Sequence, residues 1–223
     1  MRVSVLVPAF NEAEFIPVTL DSLRESLPGA ELIVIDDGSS DNTADLARAK
    51  GAQVIRHDRN RGKACALTSG LEKCTGEIVA MVDGDMGPYA AEIVPLVVAV
   101  TGGQCDLAIA VFSRSQGGGL GLVRNLARWG IFFLTGTWLA APLSGQRAAT
   151  RTLMNKCLPR RGGFGLETEF TLRALRGGYR VQEISTGFVH RGHGWTGAGV
   201  CHRGRQFFQV LLALFRGCRP WPN

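Results

Sequence analysis

The stretch Glu31–His57, ELIVIDDGSSDNTADLARAKGAQVIRH, decides the fold. It opens on a β-rich apolar run, ELIVI, that ends in two aspartates, Asp36 and Asp37. A polar turn leads into DNTADLARAKG, a helical pattern with Asp41 in capping position and Gly51 as its stop. AQVIRH then reads as a second short strand. Strand, helix and strand at this spacing make a βαβ unit, which requires parallel pairing.

The same alternation extends in both directions. Upstream, RVSVLVP reads as a strand and EAEFIPVTLDSLRESL as an amphipathic helix; downstream, GKACALTSGLEKC reads as a helix and EIVAMVDGD as a strand. The strands are continuously apolar, as burial on both faces demands. The expectation is an α/β domain with a mostly parallel sheet flanked by helices. In such sheets the ligand site lies outside the carboxyl ends of the strands. Three polar segments fall there: PAFNE (Pro8–Glu12), DDGSSD (Asp36–Asp41) and DGD (Asp83–Asp85). Residues 111–223 are less regular. CDLAIAVF is a strand, SRSQGGGLG a Gly-rich loop, ETEFTLRALRGGY a helix with a Gly stop, RVQEISTGFVH a strand and GRQFFQVLLALFRG a C-terminal helix. With no internal repeat and no linker, residues 1–223 read as one domain.

Charge is divided unevenly. Residues 1–110 carry 9 Lys/Arg against 16 Asp/Glu (−7), and residues 111–223 carry 16 against 3 (+13). An acidic half suited to a cation thus adjoins a basic half suited to phosphates or an anionic membrane. The basic residues are not clustered among aromatics, which argues against a nucleic-acid partner. The 45% apolar content is that of a globular chain. Six scattered cysteines without a C-x-x-C pair, and an N-terminus without a signal-peptide pattern, suggest reduced thiols and a cytoplasmic protein.

Two phosphate-binding fingerprints are excluded. A P-loop needs glycine where His57 stands and Ser or Thr where Ala64 follows Lys63; PAFNE occupies the place of a G-x-G-x-x-G. The D-x-D at the end of a buried strand fits better. Paired carboxylates repel unless a cation neutralises them, and Mg²⁺ or Mn²⁺ prefers oxygen ligands and shares them with substrate phosphates. The competing reading is an acidic turn or helix cap. The two neighbouring polar segments tip the balance to the cation.

VSVLVPAFNE, ELIVIDDGSSDNT, RNRGKACAL and VAMVDGDM, in that order, resemble the successive motifs of family 2 glycosyltransferases, which have the GT-A (Rossmann-like) fold. The resemblance implies a nucleotide-sugar donor, UDP more than GDP, with residues 1–110 as a nucleotide-binding half and residues 111–223 as an acceptor-binding half. It implies that Pro8, Phe10 and Glu12 line the base pocket. Asp36 or Asp37 would meet the base or ribose, Lys63 would lie near the nucleotide, and Asp83, Gly84 and Asp85 would hold the metal-bound diphosphate. Lys63 can equally be a solvated lysine at a helix start. SGQRA (Ser144–Ala148), GFGLETEF and a later histidine are similar to sequences of glucosyl-3-phosphoglycerate synthases and polyprenyl-phosphate glycosyltransferases. That similarity implies an acceptor side at Ser144, Gln146 and Arg147, and His190 as a third metal ligand beside Asp83 and Asp85. Gly87 stands where the polyprenyl branch often has a polar residue. His190 can also be an ordinary strand-end histidine; zinc at His190, His193, Cys201 and His202 matches no standard spacing.

Glu167 and Glu169 are two of the three acids after residue 110. Glu167 is the candidate base if the acceptor is a hydroxyl, whereas a phosphate acceptor needs none; an acid before a helix is also ordinary capping. Glu169 is expected to face solvent. WGIFFLTGTWLAAPLSGQ, uncharged between Arg128 and Arg147, reads as a core or interfacial helix, and QFFQVLLALF with its flanking arginines as either a buried helix or one lying on an anionic membrane. The functional expectation is metal-dependent transfer of a sugar to a phosphate-bearing acceptor, polyprenyl phosphate or a small soluble acid, at the inner face of the membrane or in the cytosol. The rivals are a nucleotidyltransferase, which would carry a Gly-rich basic signature after the first strand, and a sugar-nucleotide binding module without activity.

Overall fold

The computed structural model describes residues 1–114, 121–189 and 199–217. The central strand β1 (Val3–Ala9) carries Val5, Leu6 and Val7 with no exposed surface. Because side chains alternate across a strand, Val5 and Val7 face one core and Leu6 the other. A strand buried on both faces has to be largely apolar, and the one polar side chain of β1, the buried Ser4, is satisfied by donating its hydroxyl to Glu31 Oε2 (2.5 Å).

β1 pairs in parallel with β2 (Glu31–Asp36) and with β4 (Ile78–Met81), and β2 pairs in parallel with β3 (Gln53–Arg56). Between them run α1 (Ile16–Ser26), α2 (Thr43–Ala49) and α3 (Lys63–Lys73). α1 begins four residues later than its hydrophobic pattern, with Pro17 in its first turn, where the missing N–H costs nothing. Gly51, at φ +71°, follows α2 as the expected stop. A 3₁₀ turn (Gly87–Ile93) and α4 (Val94–Thr101) follow β4.

The remaining strands complete the order β3-β2-β1-β4-β6-β5-β7. β5 (Leu107–Arg114) and β7 (Val181–Val189) pair in parallel. Between β4 and β5 lies β6 (Arg147–Thr150), antiparallel to both. Its four residues, RAAT, carry no strand signal, so sequence reading passes over it. α5 (Gly121–Thr135), α6 (Arg151–Cys157), α7 (Leu166–Arg176) and α8 (Gly199–Gly217) complete the described chain. One core joins β1 to α1 and α4 through Leu20, Leu23, Ile93 and Leu96; the other joins the opposite face to α3, α6 and α7 through Leu67, Leu153 and Phe170.

The direction of β6 matters for function. In an antiparallel pair, the residues that precede β6 arrive at the carboxyl end of β4. Met81 lies opposite Arg147, so Gly145 and Gln146 come up beside Asp83.

Arg147 itself corrects an expectation. It has no exposed surface and does not face an acceptor. Its Nε donates to the Ser144 carbonyl (2.8 Å), Nη1 to Thr171 Oγ1 (2.8 Å) and Nη2 to the Pro142 carbonyl (3.0 Å). The guanidinium also sits 5.6 Å from the centre of the Phe170 ring. Burial pulls its pKa down to about 10, with Glu167 and Glu183 offsetting part of that pull. Arg147 is therefore a clamp joining β6, the preceding loop and α7. Arg147→Ala should destabilise the fold by about 3 kcal/mol, because it opens a cavity and orphans three acceptors. Denaturant unfolding checks this, and the effect on nucleotide binding should be no larger than the lost stability explains.

Candidate active site at the carboxyl edge of the sheet

The loops after β1, β2 and β4 form a cleft of about 320 Å³. Pro8, Phe10 and Glu12 line one wall, Asp83, Gly84 and Asp85 another, and Asp37 and Lys63 the floor between them. Residues far apart in sequence thus meet where the parallel strands end.

Backbone-to-side-chain bonds lock the first two loops together. Asn11, at φ +57°, accepts from the Ser40 N–H through its side chain (2.9 Å), and its own N–H donates to Ser39 Oγ (2.9 Å). The Glu12 N–H donates to Thr43 Oγ1 (2.9 Å) and the Ala13 N–H to Asp41 Oδ2 (3.1 Å). Gly38, at φ +79°, passes so close to the Arg59 backbone that a Cβ would lie 2.6 Å from its Cα. Only glycine fits there. With its edges fixed in this way, the cleft leaves Phe10 44% exposed at its rim.

Asp36 and Asp37 separate in role. Asp36 is fully buried; its Oδ1 accepts from the Ser39 N–H (3.0 Å) and its Oδ2 lies 3.2 Å from Arg56 Nε. It holds its own turn and does not reach the cleft, which corrects its reading as a nucleotide contact. Asp37 lines the cleft, yet its carboxylate gathers the next loop: Oδ1 accepts from the Arg61 N–H (2.9 Å) and meets His57 Nδ1 (2.7 Å), and Oδ2 accepts from the Gly62 N–H (2.7 Å). Asp37 thereby positions the start of α3, where Lys63 occupies the first helical turn. His57 carries no sequence signal for this part.

Lys63 is the hub. Its Nζ lies 2.6 Å from Asp83 Oδ1 and 3.4 Å from Glu167 Oε1, with the lysine side chain 29% exposed. Burial pulls the ammonium down, but Asp83 and Glu167 overcome this and hold it above the ordinary lysine range. Lys63 is thus no solvated surface residue. Glu167, in the first turn of α7, is the acid that reaches Lys63. Glu169 is not solvent-facing: it is 3% exposed and pairs with Arg173 at 2.5 Å. Two positions along α7 therefore separate an acid that meets Lys63 from an acid of the core.

Gln146 turns toward Asp83 rather than toward an acceptor. Its Oε1 accepts from the Asp83 N–H (3.1 Å) and its Nε2 donates to Asp83 Oδ2 (2.8 Å). Gly145 passes close enough that a Cβ would lie 2.6 Å from Lys63 Nζ and 2.9 Å from Asp83 Oδ2. Ser144 gives its carbonyl to Arg147, and its hydroxyl is buried. The SGQR segment therefore supports the D-x-D from behind. Thr19 braces the same turn from α1: its hydroxyl donates to the Gly84 carbonyl (2.8 Å) and accepts from the Gly87 N–H (2.8 Å). Gly145 lies within SGQRA but is given no part of its own there, and no motif points to Thr19.

The donor set suits a hard divalent cation. Glu12 is pushed up to about 7, first by burial and then by Asp85 and Asp83, so the wall carries more negative charge than its surroundings balance. Among the described residues, no three His, Cys, Asp or Glu side chains form a metal cluster by themselves. Two carboxylates plus oxygens from a bound diphosphate and water match the habit of Mg²⁺ and Mn²⁺. His190 lies outside the described residues.

The chain is similar to several known proteins. An undecaprenyl-phosphate mannosyltransferase of Micrococcus luteus is 29% identical over 211 residues, spanning 86% of this chain and 85% of its own. An uncharacterized protein of Methanocaldococcus jannaschii is 28% identical over 195 residues, spanning 82% and 79%. The crystal structure of glucosyl-3-phosphoglycerate synthase from Mycobacterium tuberculosis with phosphoglyceric acid superposes with a TM-score of 0.79 at 29% identity, covering all of this chain and 81% of that one. The same enzyme has been crystallised with Mn²⁺, UDP and phosphoglyceric acid (TM-score 0.78, 28% identity, covering 100% and 80%). The family model for glycosyl transferase family 2 matches residues 4–156, and the chain belongs to that family.

Proposed function

We propose that this protein transfers a sugar from a UDP-linked donor to a phosphate-bearing acceptor, with polyprenyl phosphate the first candidate. The observation that carries this reading is the Lys63–Asp83–Glu167 cluster, where the nucleotide cleft meets the first turn of α7. Phe10 offers an exposed ring face to a base at the rim. Lys63, at the N-terminus of α3, supplies positive charge where a diphosphate would lie. Asp85, with Asp83, would hold Mg²⁺ or Mn²⁺, which supplies Lewis-acid stabilisation of the charge on the departing nucleoside diphosphate. An acceptor phosphate oxygen attacks the anomeric carbon as the bond to UDP breaks, with no proton to remove. Were the acceptor a hydroxyl, Glu167 would take its proton. Site of action at the inner face of the membrane accords with a lipid acceptor; no helix among the described residues is long and apolar enough to cross a membrane.

A small phosphorylated acid is the second reading, favoured by full coverage of this chain on the phosphoglycerate-bound structure. The experiment is UDP release from UDP-sugars with polyprenyl phosphate or 3-phosphoglycerate as acceptor. The lipid reading expects transfer to polyprenyl phosphate in preference; transfer to phosphoglycerate alone replaces it with the second. A protein that only binds sugar nucleotides would release no UDP with either.

Two variants test the site. Asp85→Ala should keep the fold and lower turnover at least about a thousandfold, with chelator doing the same to the unaltered protein; turnover indifferent to both would refute the cation's part. Gln146→Leu should lower metal affinity or turnover about 10- to 100-fold, as loss of a ligand's orienting partner does. Isothermal calorimetry with Mn²⁺ and UDP reads that change.

A further inference from the structure

We propose that the outward faces of α5 and α8 form one docking surface for an anionic lipid bilayer. Helices on the outside of a soluble domain ordinarily turn polar side chains to water. These two do the reverse. α5 buries Val123, Ala127 and Ile131 and exposes Leu122 (80%), Trp129 (49%) and Phe133 (77%). Trp129 is in ring contact with Phe132, Phe133 and Trp138, at 6.0, 5.6 and 5.1 Å between centres. α8 buries Val210, Ala213 and Leu214 and exposes Phe207, Phe208 (58%) and Phe215 (66%). The helices adjoin, with Gly130 so close to Leu214 that a Cβ would come within 2.3 Å of Cδ1. Exposed apolar area of this extent marks an interaction site.

Charge chooses the occupant. Neither helix carries an acid, whereas Arg124 and Arg128 lie on α5 and Arg216 on α8. Of the three acids of residues 111–223, Glu167 pairs with Lys63, Glu183 accepts from the N–H groups of Ala140 and Ala141, and Glu169 pairs with Arg173, with Arg216 close enough to act on it. A second copy of this chain meeting it through the same face, as a two-fold dimer would, would set these arginines against their own kind. Anionic headgroups would pair with them, and Trp and Phe beside Arg suit the boundary of headgroup and acyl chain. α5, with 15 residues, is too short to cross a membrane, and no described helix is both long and apolar enough to do so, which leaves lying on the surface. The surface is also tied to the cleft: the segment leaving α5 runs through Trp138 to Gly145 and Gln146, which touch the Lys63–Asp83 pair.

This deepens the lipid-acceptor reading but is tested apart from it, by flotation with phosphatidylcholine vesicles with and without phosphatidylglycerol, in the absence of donor and acceptor. The protein should float with the anionic vesicles and lose binding as salt rises. The double variant Phe133→Glu/Phe208→Glu should cut the bound fraction at least about tenfold. Because both side chains are exposed, its circular dichroism and its UDP release with a soluble acceptor should match those of the unaltered protein. No flotation, equal flotation of the variant, or a dimer that the variant dissociates in place of flotation would each overturn the proposal. Flotation without sugar transfer to any phosphate acceptor would instead overturn the function and leave the surface standing.

Discussion

Everything at the site hangs on how one carboxylate is held. Asp83 is gripped from α3 by Lys63 and from the loop before β6 by the Gln146 amide. Lys63 passes the grip on to Glu167 of α7. As stabilising interactions these are modest, since a pair with about a third of its surface in water contributes about 1 kcal/mol or less. Their worth is positional. They join the acidic, nucleotide-facing part of the chain to the basic part at the one place where donor and acceptor would have to meet. The antiparallel β6 makes this possible, because a parallel strand there would deliver its C-terminal end, not its N-terminal loop, to Asp83.

The division of charge has the same logic at larger scale. Surplus carboxylates sit at the strand ends in a cleft that burial and mutual repulsion make uncomfortable, as the raised Glu12 shows. Surplus arginines occupy the other part, and its few acids are withdrawn to internal partners. Such a layout attracts a cation to one side and anions to the other. Net charge alone, +6, conveys neither.

The parallel strands and the three loops at their carboxyl ends were legible in the sequence because double burial forces largely apolar runs, and those runs ended in PAFNE, DDGS and DGD. Their convergence followed from topology. The failures share a cause. A motif says which residues gather, not which way each side chain turns. Asp36 and Asp37 are adjacent, chemically identical and both buried, yet one carboxylate closes its own turn and the other turns to the cleft and the loop before α3. Gln146 and Arg147 also point apart, one to Asp83 and one into the core. Glu167 and Glu169 differ by two positions on a helix, so they lie on different faces. β6 stayed hidden because four residues with an arginine carry no period to read, and the sheet supplies the pairing that the sequence does not announce.

Arg147 shows how far context overrides composition. A buried arginine with no carboxylate in contact is costly by itself, because a cation leaves water for neutral acceptors. Here three acceptors and an aromatic face meet the guanidinium at once, and the carboxylates of Glu167 and Glu183 act on it from further off. The same buried charge ties the Pro142–Ser144 turn to α7 through Thr171, and Thr171 bonds back to the Glu167 carbonyl (2.7 Å). The route from Arg147 to the cleft is therefore two bonds long. The arginine acts on the site by fixing where Gln146 and Glu167 stand, and its positive charge, which on the surface would have signalled an anion site, is used inside to hold two loops at a fixed distance from Asp83.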